Sequence, residues 1–415
     1  MKRTTGQQSG AVRRSVLAGG AATLALAPLA GCATAPVAPR SSSASRPGGF
    51  AQGAFAPTPP LPRLRIGLDR ITGITVCTRP FRADGPRLEI EGVGDKRVVH
   101  HYGHGGSGWS LSWGSASLAV EKVRAAGAAG AEGAVAVVGC GAIGLTTALM
   151  LQRAGFGVTI YAKDFPPNVR STNATGVWSP NSRICLESGA TPAFRALWER
   201  VCRESFRTYQ SLLGLPNDPI EWIDTYYLHD SEQDAAATPP APNARPPFAN
   251  HLQQELTPDL AQPFETVAPG EHPFGQRLVR RQSGMMFNIG PYTKLLLDEF
   301  LERGGKLQTR EFRTLAEFQQ LPETVIVNCT GYGARDLCQD HTVIPVRGQL
   351  AHLIPDPEVR YGLYYNRVSF VPRRDGAIVQ QTGPDDYYGF NDDGAAPDRA
   401  EAEQAVRTIA GLFPG

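Results

Sequence analysis

Ala134-Val135-Ala136-Val137-Val138-Gly139-Cys140-Gly141-Ala142-Ile143-Gly144 is the stretch on which the fold turns. Five apolar residues in a row, closed by glycine, suit a short strand buried on both faces. A G-x-G-x-x-G pattern follows at once; 145–154 then runs as an apolar helix to Gly155, and 158–161 reads as a second strand. Strand, glycine loop, helix and strand in that order open a dinucleotide-binding βαβ unit. Gly139 makes the tight turn, Gly141 lets backbone approach a pyrophosphate, and Gly144 lets helix and strand pack closely. Ala142 and Ile143 begin the helix whose N-terminus faces the phosphates. NAD and FAD both use such a loop. The acidic residue expected about 20 positions further on is ambiguous: either Asp164 takes the ribose hydroxyls or Lys163 reaches the adenosine phosphate.

Outward from this unit, the composition sets limits. The chain has 415 residues, which suits two domains, and is 41% hydrophobic and 19% charged, enough for a sizeable core. Lys+Arg 41 against Asp+Glu 39 leaves a net charge of +2, no electrostatic footprint for nucleic acid. Beyond the N-terminus there is no apolar run long enough to span a bilayer. None of the seven cysteines makes a C-x-x-C pair, which argues against zinc and for buried free thiols.

The first 32 residues read as an export signal. Arg13-Arg14-Ser15-Val16-Leu17 is a twin-arginine pattern, a mild apolar run follows, and Leu29-Ala30-Gly31-Cys32 resembles a lipobox, in which Cys32 would carry a lipid anchor. Residues 33–60, rich in Pro, Ala, Ser and Gly, read as a disordered tether. The expected location is the periplasmic face of a membrane as a lipoprotein, or the periplasm or medium.

Four further segments resolve the choice of cofactor by resemblance. Thr159–Asp164 with Asn173-Ala174-Thr175-Gly176-Val177-Trp178 is similar to the D-amino-acid oxidase family of flavoproteins. Tyr102-Gly103-His104-Gly105-Gly106-Ser107-Gly108-Trp109, continuing to Ala116, resembles that family's C-terminal flavin-binding signature. Val325-Ile326-Val327-Asn328-Cys329-Thr330-Gly331 and Pro345-Val346-Arg347-Gly348-Gln349 resemble its middle strand and the segment after it. The resemblance covers about 61–415 and implies an α/β fold: a Rossmann-like FAD-binding domain (83–183 and 289–342) interleaved with a mixed-sheet α+β substrate domain (61–82, 184–288 and 343–415).

The order of segments departs from the family. The His-Gly-Gly signature normally lies near the C-terminus, and here it precedes the glycine fingerprint. The chain reads as a circular permutation in which 61–125 has moved to the front and 125–133 joins the old ends. Termini that lie together at a surface make this physically reasonable, and Gly415 should then lie near 61–66.

The resemblance also implies site roles. FAD would be held by Gly139, Gly141, Ala142, Ile143, Gly144, Lys163, Asp164, Thr172, Gly176, Val177, Thr330, Gly331, Gly105, Gly106, Gly108, Trp109 and Ser110. Arg79, in Thr78-Arg79-Pro80-Phe81-Arg82, would clamp a substrate carboxylate with its two-pronged guanidinium, with Arg82 as second choice. Tyr365 would hold or cover the substrate, with Tyr364 as competitor, and Gly106 would offer its carbonyl to the substrate amine. The pocket wall would include Val177 and Ser179. Ser369 stands where the family carries a second pocket tyrosine. His104 reads as a structural hydrogen-bonder. Helix 191–213 reads as core through Phe194, Trp198, Val201 and Phe206, and 229–250 as a surface loop.

The expected activity is oxidation of a D-amino acid or related amine to an imine, with dioxygen or another electron acceptor restoring the flavin. The alternatives are a flavin-holding lipoprotein with a dead site, and an NAD-dependent dehydrogenase that would leave the other motifs unexplained.

Overall fold

Residues 61–128, 133–236 and 245–413 are described by a computed structural model. Residues 1–60, read above as an export signal ending at Cys32 and a tether, and the middle of 125–133, read as a linker, lie outside the described residues. Fourteen strands are present among the described residues: β1 (Ile71–Phe81), β2 (Ile90–Val93), β3 (Lys96–His100), β4 (Ala134–Val138), β5 (Gly157–Ala162), β6 (Ile220–His229), β7 (Glu265–Val267), β8 (Leu278–Phe287), β9 (Lys306–Thr309), β10 (Val325–Asn328), β11 (Ile344–Leu353), β12 (Tyr361–Tyr365), β13 (Val368–Val371) and β14 (Ala377–Gln381). The longer helices are α1 (Gly108–Ala125), α2 (Ala142–Arg153), α3 (Pro192–Gln210), α4 (Ile289–Glu302) and α5 (Arg399–Ala410).

The first sheet has the order β2-β3-β10-β4-β5-β9, parallel except for β2. Its centre explains the unbroken apolar run of β4: Val135 and Val137 face a cluster with Leu145, Leu149, Tyr292 and Leu296 from α2 and α4, while Ala136 and Val138 face Phe318, Leu321 and Leu337. A strand covered on both faces has no polar side to alternate with.

The second sheet has the order β1-β11-β14-β13-β12-β6-β8-β7 and is mixed. Only one of its faces is covered by a helix, so its strands alternate. Tyr226, Leu228, Tyr361, Leu363, Phe370 and Val379 pack with Ala402, Val406 and Ile409 of α5. The residues between them face the first layer.

The front segment serves both sheets. β3 lies between β2 and β10, with Val98 opposite Ile326 and Val99 opposite Val327. β1 forms the edge of the second sheet, antiparallel to β11 from Ile71 opposite Leu353 to Phe81 opposite Ile344. α1 packs against α3, closely enough that a Cβ on Gly114 would fall 2.3 Å from the Val201 carbonyl oxygen. The 184–288 stretch therefore divides: α3 buries Trp198, Val201, Phe206 and Tyr209 beside the first layer, and 220–287 joins the second. Each large apolar side chain so covered contributes about 1.5–3 kcal/mol.

The ends of the described chain meet. Arg63 Nη2 donates to the Phe413 carbonyl at 2.9 Å, Tyr361 donates its hydroxyl proton to the Pro62 carbonyl at 2.8 Å, and Leu64 and Leu412 share one apolar cluster. Arg65 binds Asp356 through Nε and Nη2, both at 2.9 Å. Gly415 itself lies outside the described residues.

Candidate active site

Between the two sheets runs a cavity of about 1130 Å³. Its nucleotide end is built from backbone. Gly139 has φ +106°, donates to the Tyr161 carbonyl at 2.8 Å, and sits so close to β10 that a Cβ would fall 2.5 Å from the Cys329 carbonyl oxygen. A Cβ on Gly144 would fall 2.0 Å from the Gly139 carbonyl oxygen. Gly144 therefore shapes the loop from behind, and Gly139, Gly141, Ala142 and Ile143 line the cavity. α2 starts here without an acidic residue in its first turn, so its positive end is free to meet an anion. One of its amides, that of Ala142, donates to Ser171 Oγ at 3.0 Å.

Lys163 and Asp164 line the cavity beside Arg310–Arg313. Lys163 is 64% exposed and 3.8 Å from Glu311, so no buried partner commits it to a phosphate. Thr330 and Gly331 line the cavity where β10 ends. Thr172 does not: its hydroxyl donates to the Pro167 and Val169 carbonyls, both at 2.6 Å, and the neighbours that face the cavity are Val169, Arg170, Ser171, Ala174 and Thr175. A hydroxyl with two nearby carbonyls completes its own short turn before it can reach across a cavity.

The middle of the cavity is the 103–109 loop. Gly105 has φ +54°, and a Cβ there would fall 1.8 Å from the Arg183 carbonyl oxygen. The Gly105 amide donates to the Pro80 carbonyl and the Gly106 amide to the Ser182 carbonyl, each at 2.9 Å. Both amides are thus taken by protein, and Gly105 and Gly106 both line the cavity. Gly108, Trp109 and Ser110 also line it. Trp109 is locked by Nε1 donating to the Ser171 carbonyl at 2.8 Å, and Ser110 Oγ accepts the Ser179 amide at 2.9 Å. His104 is 2% exposed, its Nε2 is 2.8 Å from Ser115 Oγ, and burial pushes its pKa down to about 3. A neutral, hydrogen-bonded imidazole is a structural one. Its Nδ1 is buried with no partner among the described residues, as is Trp178 Nε1; both residues line the cavity.

Gly176, with φ +88°, accepts the Phe287 amide at 2.7 Å and leads into a bridge between Val177 and Met286. This aims Val177 and Ser179 into the cavity.

The roof belongs to the second sheet. Arg79 enters from β1; its Nη1 donates to the Arg347 carbonyl at 3.1 Å, and the guanidinium lies over Gly348, where a Cβ would come within 2.6 Å of it. Arg82 turns away to Thr342 and the Gly85 carbonyl, each at 3.0 Å. Across the strands, Tyr227, Tyr364, Ser369 and Gln380 are successive register partners and all line the cavity. Tyr227 and Tyr364 have ring centroids 5.7 Å apart, and Tyr364 Oη is 3.2 Å from Thr382 Oγ1.

Tyr365 is a correction. It faces the other side of β12: its hydroxyl donates to Asp230 at 3.0 Å, its ring stacks under Arg277, and its flank packs against the α5-side core. Successive strand residues point to opposite faces, so Tyr364 takes the cavity place. The contribution of Tyr227 and Arg183 is not readable from local motifs. Period-two alternation in 220–229 carries a signal for Tyr227, since Tyr226 and Leu228 are core; Arg183 carries none.

These features fit FAD. Gly139 and Gly144 leave no room for a Cβ, the helix end offers a positive dipole, and His104 Nδ1 and Trp178 Nε1 are buried along the same cavity without partners among the described residues. Among the described residues no group of three or more His, Cys, Asp or Glu could hold a metal ion.

A D-amino-acid oxidase of Rubrobacter xylanophilus is 29% identical over 288 residues, covering 67% of this chain and 76% of that one. A D-amino-acid oxidase of Dictyostelium discoideum is 24% identical over 281 residues, covering 67% and 72%. Among solved structures, an iminodiacetate oxidase from Chelativorans matches with TM-score 0.47 and 15% identity over 68% of this chain and 79% of that one. The family model for FAD dependent oxidoreductases matches residues 134–415, most of the two-layer body and none of the front segment. The chain belongs to that family of FAD dependent oxidoreductases, and FAD is its cofactor.

Proposed function

We propose that the protein oxidises an amino acid, in the D configuration, or a related amine. The observation that carries this is Arg79: a guanidinium in the wall of the flavin cavity, anchored through one nitrogen and with no other hydrogen bond among the described residues. A planar fork so placed binds a carboxylate through two parallel bonds. Bound FAD supplies the acceptor for the substrate Cα hydrogen and its electron pair, while the amine nitrogen forms the C=N bond that water later hydrolyses. The chain's residues orient. Arg79 fixes the carboxylate, the Gly106 carbonyl accepts from the amine, and Tyr227 and Tyr364 wall the side-chain space. His104 stays neutral through burial and takes no proton in the working pH range. If the substrate binds with its amine neutral, no protein base is needed.

The tyrosine pair supports a working site over a dead one, because it restores the aromatic wall that Ser369 gives up. Anaerobic addition of a panel of D-, L- and N-alkyl amino acids tests the reading: bleaching of the flavin by at least one D-amino acid is expected, and a colour unchanged by all of them defeats it. Admitting air then separates oxidase from dehydrogenase; rapid return of colour with peroxide marks an oxidase.

The permuted order is part of the same proposal, supported by β1 and β3 filling one place in each sheet and by the meeting of 61–64 with 412–413. A chain with 61–125 moved behind Gly415 should bind FAD and turn over as the natural order does. Export through the twin-arginine signal and anchoring at Cys32 complete it; Cys32→Ala should release the protein from the membrane fraction.

A further inference from the structure

A second guanidinium shares the cavity with Arg79. Arg183 lines it with a side chain only 12% exposed. The two are set by the same turn: the Gly105 amide is held by Pro80, next to Arg79, and the missing Gly105 Cβ is what admits the Arg183 backbone. Arg183 holds φ +48°, a backbone region that non-glycine residues rarely occupy. Its Nε donates to the Asp386 carbonyl at 2.7 Å, and its Nη2 lies 3.4 Å from the Asp386 carboxylate, which is 37% exposed. Asp386 is also held by Asn250. It therefore pairs with one edge of Arg183, and Nη1 has no hydrogen bond among the described residues. Burial and the neighbouring Arg79 bring the Arg183 pKa down to about 10, so the two cations feel each other. A monocarboxylate on Arg79 would leave Arg183 with Asp386 along one edge only and its Nη1 without a partner.

With the amine-oxidation function above as its basis, we infer that Arg79 and Arg183 form a two-point clamp for an amino dicarboxylic acid, Arg79 taking one carboxylate and Arg183 the other. Arg183 is then the specificity residue of the site, and the acceptable substrates are acidic amino acids.

The test uses the FAD-loaded protein and reads binding apart from turnover. Perturbation of the visible flavin spectrum is titrated with succinate and glutarate, and with butyrate as the single-carboxylate control. At least one dianion should bind about tenfold or more tightly than butyrate. In Arg183→Gln that advantage should vanish with butyrate affinity unchanged, and Arg183→Lys should restore part of it. Equal affinity for dianions and butyrate in the natural protein overturns the clamp. Turnover supplies the second arm: D-aspartate and D-glutamate should exceed D-asparagine and D-glutamine in kcat/KM, mostly through KM, and Arg183→Gln should level them. If the variant slows acids and amides alike, Arg183 only props the 385–390 turn and the inference falls. Tight dianion binding without bleaching by any amine would instead sink the amine-oxidation reading and leave the clamp standing.

Discussion

The two ends of the cavity are made of different material. The nucleotide end is a backbone cradle: Gly139 and Gly144 act by what they lack, their neighbours being the main-chain oxygens of Cys329, just after β10, and of Gly139 itself. The roof end is made of side chains from β1, β6, β12, β13 and β14, assembled across nearly the whole chain. A cradle of main chain fails when any side chain is added, whereas a roof of side chains changes its chemistry one position at a time. Affinity for the cofactor and choice of substrate can therefore vary separately.

The sharpest way to break this contrast is at Gly144. Gly144→Val places a branched side chain against the Gly139 carbonyl 2.0 Å from its Cβ position, and should cost about 3 kcal/mol or more. Colourless protein with a lowered Tm is the expected outcome; a yellow, stable variant would show the cradle to be less tight than its geometry. Arg79→Ala should act only at the roof. FAD content should stay, and kcat/KM should fall on the order of 100-fold, close to 3 kcal/mol, mainly in KM; loss of flavin would mean that the two ends are coupled.

Acid should act on the cradle's support instead. His104 has its pKa lowered by burial to about 3, and His101, also buried and beside His104, is lowered as well. The unfolded chain binds these protons from about pH 6.5 downward and the folded chain does not. Stability is thus full above pH 6.5 and is lost as pH falls from there toward 3. His104 alone should cost about 2 kcal/mol by pH 5, read as a drop in the urea midpoint between pH 7.5 and pH 5. His104→Asn should flatten that drop. The smallest effect separates the two tyrosines: Tyr364→Phe should change kcat/KM by about tenfold, on the order of one lost hydrogen bond, while Tyr365→Phe should leave it within about twofold.

The same division governs what could be read before the coordinates. The cradle is local: strand, glycines, helix and second strand lie within thirty residues of one another, and each residue type has one physical reason to be there. The family signatures around 102–116 and 325–331 are local too, and both lead to the cavity. The roof depends on parity. Tyr364 and Tyr365 are adjacent and chemically identical, and only the side taken by α5 decides which faces inward. Thr172 missed the cavity because its hydroxyl is satisfied within its own turn. Arg183 was invisible because its place depends on a glycine almost eighty positions earlier.

The seat of β3 in the middle of a sheet has a consequence for biogenesis. His100 and Asn328 sit side by side, yet 228 positions separate them along the chain. A ribosome releases β3 early and its neighbour β10 late, so the nascent strand waits with one edge bare while most of the protein is still to be made. Such an edge is a template for wrong pairing. Cofactor capture and closure of both sheets must therefore be nearly the last events of synthesis, and a chain stopped before residue 325 can complete neither.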